Sequence, residues 1–140
     1  ACGGGISHRG NLSSGILIKD NHIAACGSVA EAVARARKTV DPSHRIEVEV
    51  STLEEVDAAL ASGAEVIMLD NMAIDDVIKA VQRIKGRALV EASGGVTLER
   101  VPDLARAGVD FISVGALTHS APSCDISLEI EPGHAMGQVP

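Results

Sequence analysis

Five apolar runs, beginning near residues 16, 46, 66, 88 and 110, recur at intervals of roughly two to three dozen residues, the length of one strand-and-helix unit. Few folds accommodate that rhythm. Arg45 to Val50 alternates apolar and acidic residues as a strand does, whereas Val66 to Asp70 is continuously apolar, as a parallel strand covered on both faces requires. Ile16-Leu17-Ile18, Ala88 to Ser93 and Asp110 to Val114 read as the other three strands. Helical patterns stand between them. Ser28 followed by Glu31 has capping-box spacing and opens a helix to about Lys38, which Asp41-Pro42-Ser43 stops. Ser51 or Thr52 caps a helix over Leu53 to Ala61 ended by Gly63; Ala73 to Lys85 and Thr97 to Ala107 follow, ended by Gly86 and Gly108.

This beat implies a parallel sheet, and right-handed crossovers bring every strand's carboxyl end to one side. Five such units suit an open doubly wound sheet or most of a barrel. Two features favour the barrel: polar residues follow all five strands, and the last two strands run into glycine-rich turns, as at the phosphate site of (β/α) barrels. The expected fold is α/β, an incomplete (β/α) barrel of TIM-like type with parallel strands over residues 1–131. A Pro/Gly-rich tail over 132–140 is expected to be flexible, with no role for His134 or Met136.

Composition narrows the function. A formal charge of -7, with Lys and Arg scattered rather than clustered, argues against a nucleic-acid surface. Phe111 is the single aromatic residue, so a planar ligand has to be held by charge, hydrogen bonds and aliphatic walls rather than by stacking. Cys2, Cys26 and Cys124 are far apart with no CxxC pair, which suggests neither a disulfide framework nor a zinc site. With no charged-then-apolar leader and no apolar run of the roughly 20 residues that a bilayer span needs, the expectation is a cytoplasmic protein.

Three constellations carry chemistry. The first lies in GGGISHRGNLSSGILIKDNH, residues 3–22, where His8, Arg9 and Lys19 gather near flexible glycine backbone and a strand end. Isolated Arg and Lys are mostly solvated surface groups. Here a guanidinium able to grip a carboxylate bidentately and a movable ammonium together suit a dianionic ligand. The second is a ring of acids, Glu47, Glu49, Asp70 and Glu91. Glu47 and Glu49 share one strand face because the period is two. Such acids bind ribose hydroxyls, orient magnesium on a pyrophosphate, or sit beside a developing oxocarbenium ion, unless they serve only as ion-pair partners for a cation such as Lys19. The third is a pair of turns, Ser93-Gly94-Gly95 and Gly115 to His119, whose successive N–H groups suit a phosphate dianion. His119 adds a possible donor, His22 stands to fix the loop after Ile18, and His44 sits in an exposed Pro/Ser turn.

GGGISHRG, LIKDNH, EVEV, IMLDN, EASGG and ISVGALTHSAP, in that order, resemble the quinolinate phosphoribosyltransferases, or carboxylating nicotinate-nucleotide pyrophosphorylases, from Ala1 to about Ile130. The resemblance implies transfer of phosphoribosyl from 5-phosphoribosyl-1-pyrophosphate to quinolinate with decarboxylation, giving nicotinate mononucleotide for NAD biosynthesis. It places quinolinate against His8, Arg9 and Lys19, and the phosphoribosyl group against Glu49 and Asp70. The 5-phosphate falls to Ser93, Gly94, Gly95 and Gly115, with His119 nearby. Lys19, Glu49 and Asp70 are the catalytic set it implies. Mg2+ accompanies the donor, with Glu49 and Asp70 as the carboxylates to meet it, and a homodimer or larger oligomer is implied. Family members carry an N-terminal sandwich and a first barrel strand that have no counterpart in these residues. The chain is therefore expected to be the C-terminal part of a longer enzyme, inactive or poorly soluble alone, with an unpaired sheet edge. A molybdenum-transport-associated paralogue and a non-catalytic phosphate-ligand-binding or assembly module are the alternatives.

Overall fold

The computed structural model describes residues 3–11 and 13–130, so the tail expected over 132–140 lies outside the described residues. Along the chain run β1 (Ile16–Ile18), α1 (Asp20–Cys26), α2 (Val29–Thr39), β2 (Ile46–Val50), α3 (Leu53–Ala61) and β3 (Val66–Asp70). There follow α4 (Ile74–Ile84), β4 (Leu89–Ser93), α5 (Val101–Ala107), β5 (Phe111–Ile112) and α6 (Ala116–His119). The strands form one sheet in the order β1-β2-β3-β4-β5, with all four neighbouring pairs parallel. Each strand lies beside its predecessor and consecutive helices pack on one another from α1 to α5. No reversal of strand order occurs, which excludes the doubly wound alternative and matches consecutive barrel units. Among the described residues the sheet is open, with β1 and β5 as its edges.

The period of two divides each strand between two environments. Ile46, Val48, Val50, Ile67, Leu69, Val90 and Ala92 join Val33, Val56, Val77, Ala80, Ile84 and Leu104 of the helices in the core. Burial of each larger aliphatic side chain contributes about 1.5–3 kcal/mol, so this face holds the helices in place. Glu47, Glu49, Met68, Asp70, Glu91 and Ser93 occupy the alternate positions. Val66 and Met68 are buried yet stand apart from that core. The second face is thus where the sequence puts its acids.

Caps set the helix starts. Thr52 rather than Ser51 is the N-cap of α3, accepting from Glu55 N at 3.2 Å while the Glu55 carboxylate accepts from Thr52 N. Ser28 accepts from Glu31 N as anticipated, but the Glu31 carboxylate is engaged by Arg35 Nε at 2.7 Å. Three boundaries differ from expectation. Helix α1 begins directly after Lys19; only seven residues long, and with a lysine at its N-cap, it lacks the usual start signal. Helix α5 starts at Val101 instead of Thr97, with Pro102 in its first turn, where a missing N–H costs nothing. Strand β5 is two residues long, because beyond its pairing with β4 it is a sheet edge.

Candidate active site

At the carboxyl ends of β1 to β4 the polar residues meet on one rim. Lys19 leaves β1, and its Nζ lies 2.8 Å from Glu49 Oε2 on β2. The hydrogen bond to Glu49 raises the Lys19 pKa above the usual ammonium value against partial burial, and the charges of Asp70 and Asp20 add to the rise. The backbone of Lys19 is fixed as well, since its N–H donates to His22 Nδ1 at 2.9 Å. Asp70, the last residue of β3, faces Ser93 in register and accepts from Asn71 Nδ2 at 2.9 Å.

The Ser93-Gly94-Gly95 turn is built against Asn71. Asn71 N donates to Ser93 O at 3.0 Å, and a Cβ on Gly94 would fall 2.5 Å from Asn71 Cγ. Gly94 and Gly95 have φ of +82° and +54°, so the turn needs glycine for both its space and its backbone. Arg100 ties the same loops from outside, donating to Met72 O at 3.2 Å and to Gly95 O at 3.4 Å. The second turn stands after the neighbouring β5. There His119 Nδ1 lies 2.7 Å from Ser120 Oγ, and its Nε2 crowds the position a Cβ on Gly115 would take, at 3.1 Å.

His8 and Arg9 sit elsewhere on this face. They line a cavity of about 490 Å3 with Glu47, Glu91, Phe111 and Ser113, whose wall does not include Lys19, Asp70 or Gly94. The cationic group of residues 8–19 is therefore divided between the cavity and the rim. His8 Nε2 lies 3.0 Å from Glu47 Oε2 and 3.6 Å from Glu91 Oε1, and Ser113 Oγ donates to Glu91. Both acids are buried. Burial pushes the Glu47 carboxyl up to about 7, the adjacent Glu91 charge adds to the rise, and His8 partly offsets it. Glu47 Oε1 is enclosed with no hydrogen-bond partner among the described residues. Among those residues His8, Glu47 and Glu91 form the group of three donors close enough to share a cation; Glu49 and Asp70 form no such group.

Sequence reasoning missed Asn71, Arg100 and Ser113. The signal for Asn71 was present, since asparagine after a strand is among the few residues that enter a left-handed turn readily. Ser113 lies two residues after Phe111, the register partner of Glu91, and so shares its face, but the pattern of Asp110 to Val114 does not show which residue of the neighbouring strand it meets. Arg100 carried no signal.

A run of consecutive (β/α) units, with parallel strands in chain order and an ion pair and glycine turns at the strand ends, defines an α/β protein built of barrel-type units. Residues 1–129 match the family described as quinolinate phosphoribosyl transferase, C-terminal domain, and the chain belongs to it. It is 48% identical over 131 residues to the nicotinate-nucleotide pyrophosphorylase [carboxylating] of Mycobacterium leprae, covering 91% of this chain and 46% of that protein. The human protein of the same name is 39% identical over 131 residues, covering 91% and 44%. The solved nicotinate-nucleotide pyrophosphorylase from Ehrlichia chaffeensis superposes with a TM-score of 0.80 at 43% identity, over 84% of this chain and 43% of that one. The chain thus spans under half the length of these relatives.

Proposed function

We propose that this chain forms the donor-binding part of an enzyme that transfers phosphoribosyl from 5-phosphoribosyl-1-pyrophosphate to quinolinate and releases CO2, yielding nicotinate mononucleotide and pyrophosphate. The observation that carries this reading, beside family membership, is the single rim that joins the Lys19–Glu49 ion pair, Asp70 and Gly94.

The quinolinate nitrogen forms a bond to C1 of the ribose while the C1–O bond breaks and its electron pair leaves with pyrophosphate. Charge then resides on a quaternised ring nitrogen. Cleavage of the bond to the 2-carboxylate releases CO2, and the electron pair left on the ring, stabilised by that nitrogen, takes a proton from water. No general base is needed. What the site must supply is orientation and electrostatics. Lys19, kept charged by Glu49, neutralises one carboxylate, and His8 and Arg9 face the ring from the cavity. Glu49 and Asp70 receive the ribose hydroxyls and the positive charge that develops at C1. The N–H groups of Ser93, Gly94, Gly95 and Gly115, with His119, hold the 5-phosphate.

Magnesium enters as cargo on the donor's pyrophosphate. Glu49 and Asp70 do not make a multidentate cage, which suits an ion held mainly by phosphate oxygens and water. No helix among the described residues is long and apolar enough to cross a membrane. A cytoplasmic homodimer or larger assembly completes the reading.

The test follows CO2 and nicotinate mononucleotide from quinolinate, donor and Mg2+ with the full-length protein. Stoichiometric release of both supports the proposal. Donor consumption with a different acceptor would assign the paralogous activity, and donor binding without turnover a non-catalytic module; either overturns it.

A further inference from the structure

We propose that Asn71 is a positioning residue that fixes the Asp70 carboxylate and the Ser93-Gly94-Gly95 turn relative to each other. The inference rests on the functional reading above, in which those two elements hold the ribose and the 5-phosphate of one donor molecule.

Three observations meet at this side chain. Asn71 is one of two non-glycine residues among those described with positive φ, at +53°, and it is exposed. Such a conformation costs energy for a residue with a Cβ, and asparagine is among those that tolerate it best. In that pose Nδ2 donates to Asp70 Oδ2 at 2.9 Å and the backbone N–H donates to Ser93 O at 3.0 Å. The amide group also fills the space that a Cβ on Gly94 would occupy: Cγ, Oδ1 and Nδ2 all lie 2.5–2.6 Å from that point. One residue thus braces the end of β3 against the turn after β4. Asp70 and Ser93 already face each other in register, so the brace sets side-chain direction rather than strand pairing.

A purely structural residue at such a φ is replaced by glycine at no cost, or with a small gain, because glycine enters this region freely. A positioning residue is not. Asn71→Gly keeps the backbone and removes the brace; Asn71→Asp keeps its shape, tolerates the same φ and removes the donor to Asp70. In the full-length protein, with Mg2+ present, both variants are expected to raise KM for the phosphoribosyl donor about ten- to a hundredfold, the scale of misplacing a binding group by about an ångström. KM for quinolinate stays within about twofold, and Asn71→Gly melts at or above the wild-type temperature. Calorimetric titration with the donor alone gives a readout apart from turnover and is expected to show the same weakening. Wild-type donor affinity in Asn71→Gly, or equal rises in both KM values, would overturn the inference. If the wild type binds donor without making product, the functional reading falls while the titration still decides the role of Asn71. If the wild type does not bind donor, both fall.

Discussion

Lys19 Nζ and Glu49 Oε2 stand 2.8 Å apart across the carboxyl ends of the first two strands, with Lys19 half exposed and Glu49 largely enclosed. The acid keeps the ammonium charged, while its exposure leaves donor capacity toward solvent, where a ligand carboxylate would come.

Removing that charge tests the pairing. Lys19→Met is expected to lower kcat/KM for quinolinate about ten- to a hundredfold, as the loss of one hydrogen bond to a charged group implies at about 1.5–3 kcal/mol. Donor affinity in calorimetry is expected to change far less. An equal loss of both affinities would mean that Lys19 organises the rim instead of meeting the acceptor.

The buried acid pair gives stability a pH dependence of unusual sign. The folded-state pKa of Glu47, about 7, lies above its ordinary 4.5. Between those values the folded protein holds a proton that the unfolded chain releases. This group therefore favours folding most below about pH 4.5, loses that contribution as pH rises to about 7, and changes little beyond. Melting temperatures of wild type and Glu47→Gln, measured from pH 5 to pH 8, are expected to diverge, with the variant relatively more stable at the alkaline end. Parallel profiles would show that Glu47 is ionised throughout.

Packing and capping predict separable losses. Ile67, fully buried on the helix-covered face, is expected to cost about 2–5 kcal/mol as Ile67→Ala. Thr52→Ala removes the acceptor for Glu55 N and is expected to cost about 0.5–2 kcal/mol. Urea denaturation of the two variants checks both, and a larger loss for the cap than for the core would contradict the layering described.

Much of this was legible in the chain. Strand β3 and helix α3 fall on the residues that their patterning indicates, because a continuous apolar run and a Thr-x-x-Glu box are local signals. The strand-and-helix beat also carried the parallel order, since crossover chirality leaves little choice. The short α1 was not legible, because its start lacks a Ser, Thr, Asp or Asn cap and it is held by packing of Ile23 and Cys26 on the core and of the helix on α2, which no local pattern announces. In the site, the Lys19–Glu49 pair was foreseeable from two strand ends on adjacent units. The engagement of His8 by Glu47 and Glu91 was not, since it depends on how residues 3–11 lie across the open face, and no periodicity encodes that path. Asn71 was half legible: an asparagine after a strand marks a left-handed turn, but its contact with Gly94 appears only in three dimensions.

The central claim is that the rim of Lys19, Glu49, Asp70 and the Ser93-Gly94-Gly95 turn receives the phosphoribosyl donor. A crystal structure of the full-length protein with the donor and Mg2+ tests this most directly. The account predicts the 5-phosphate on the backbone N–H groups of Gly94 and Gly95, with a ribose hydroxyl at Asp70. A donor bound beside His8 and Glu91, with the rim unchanged, would contradict it.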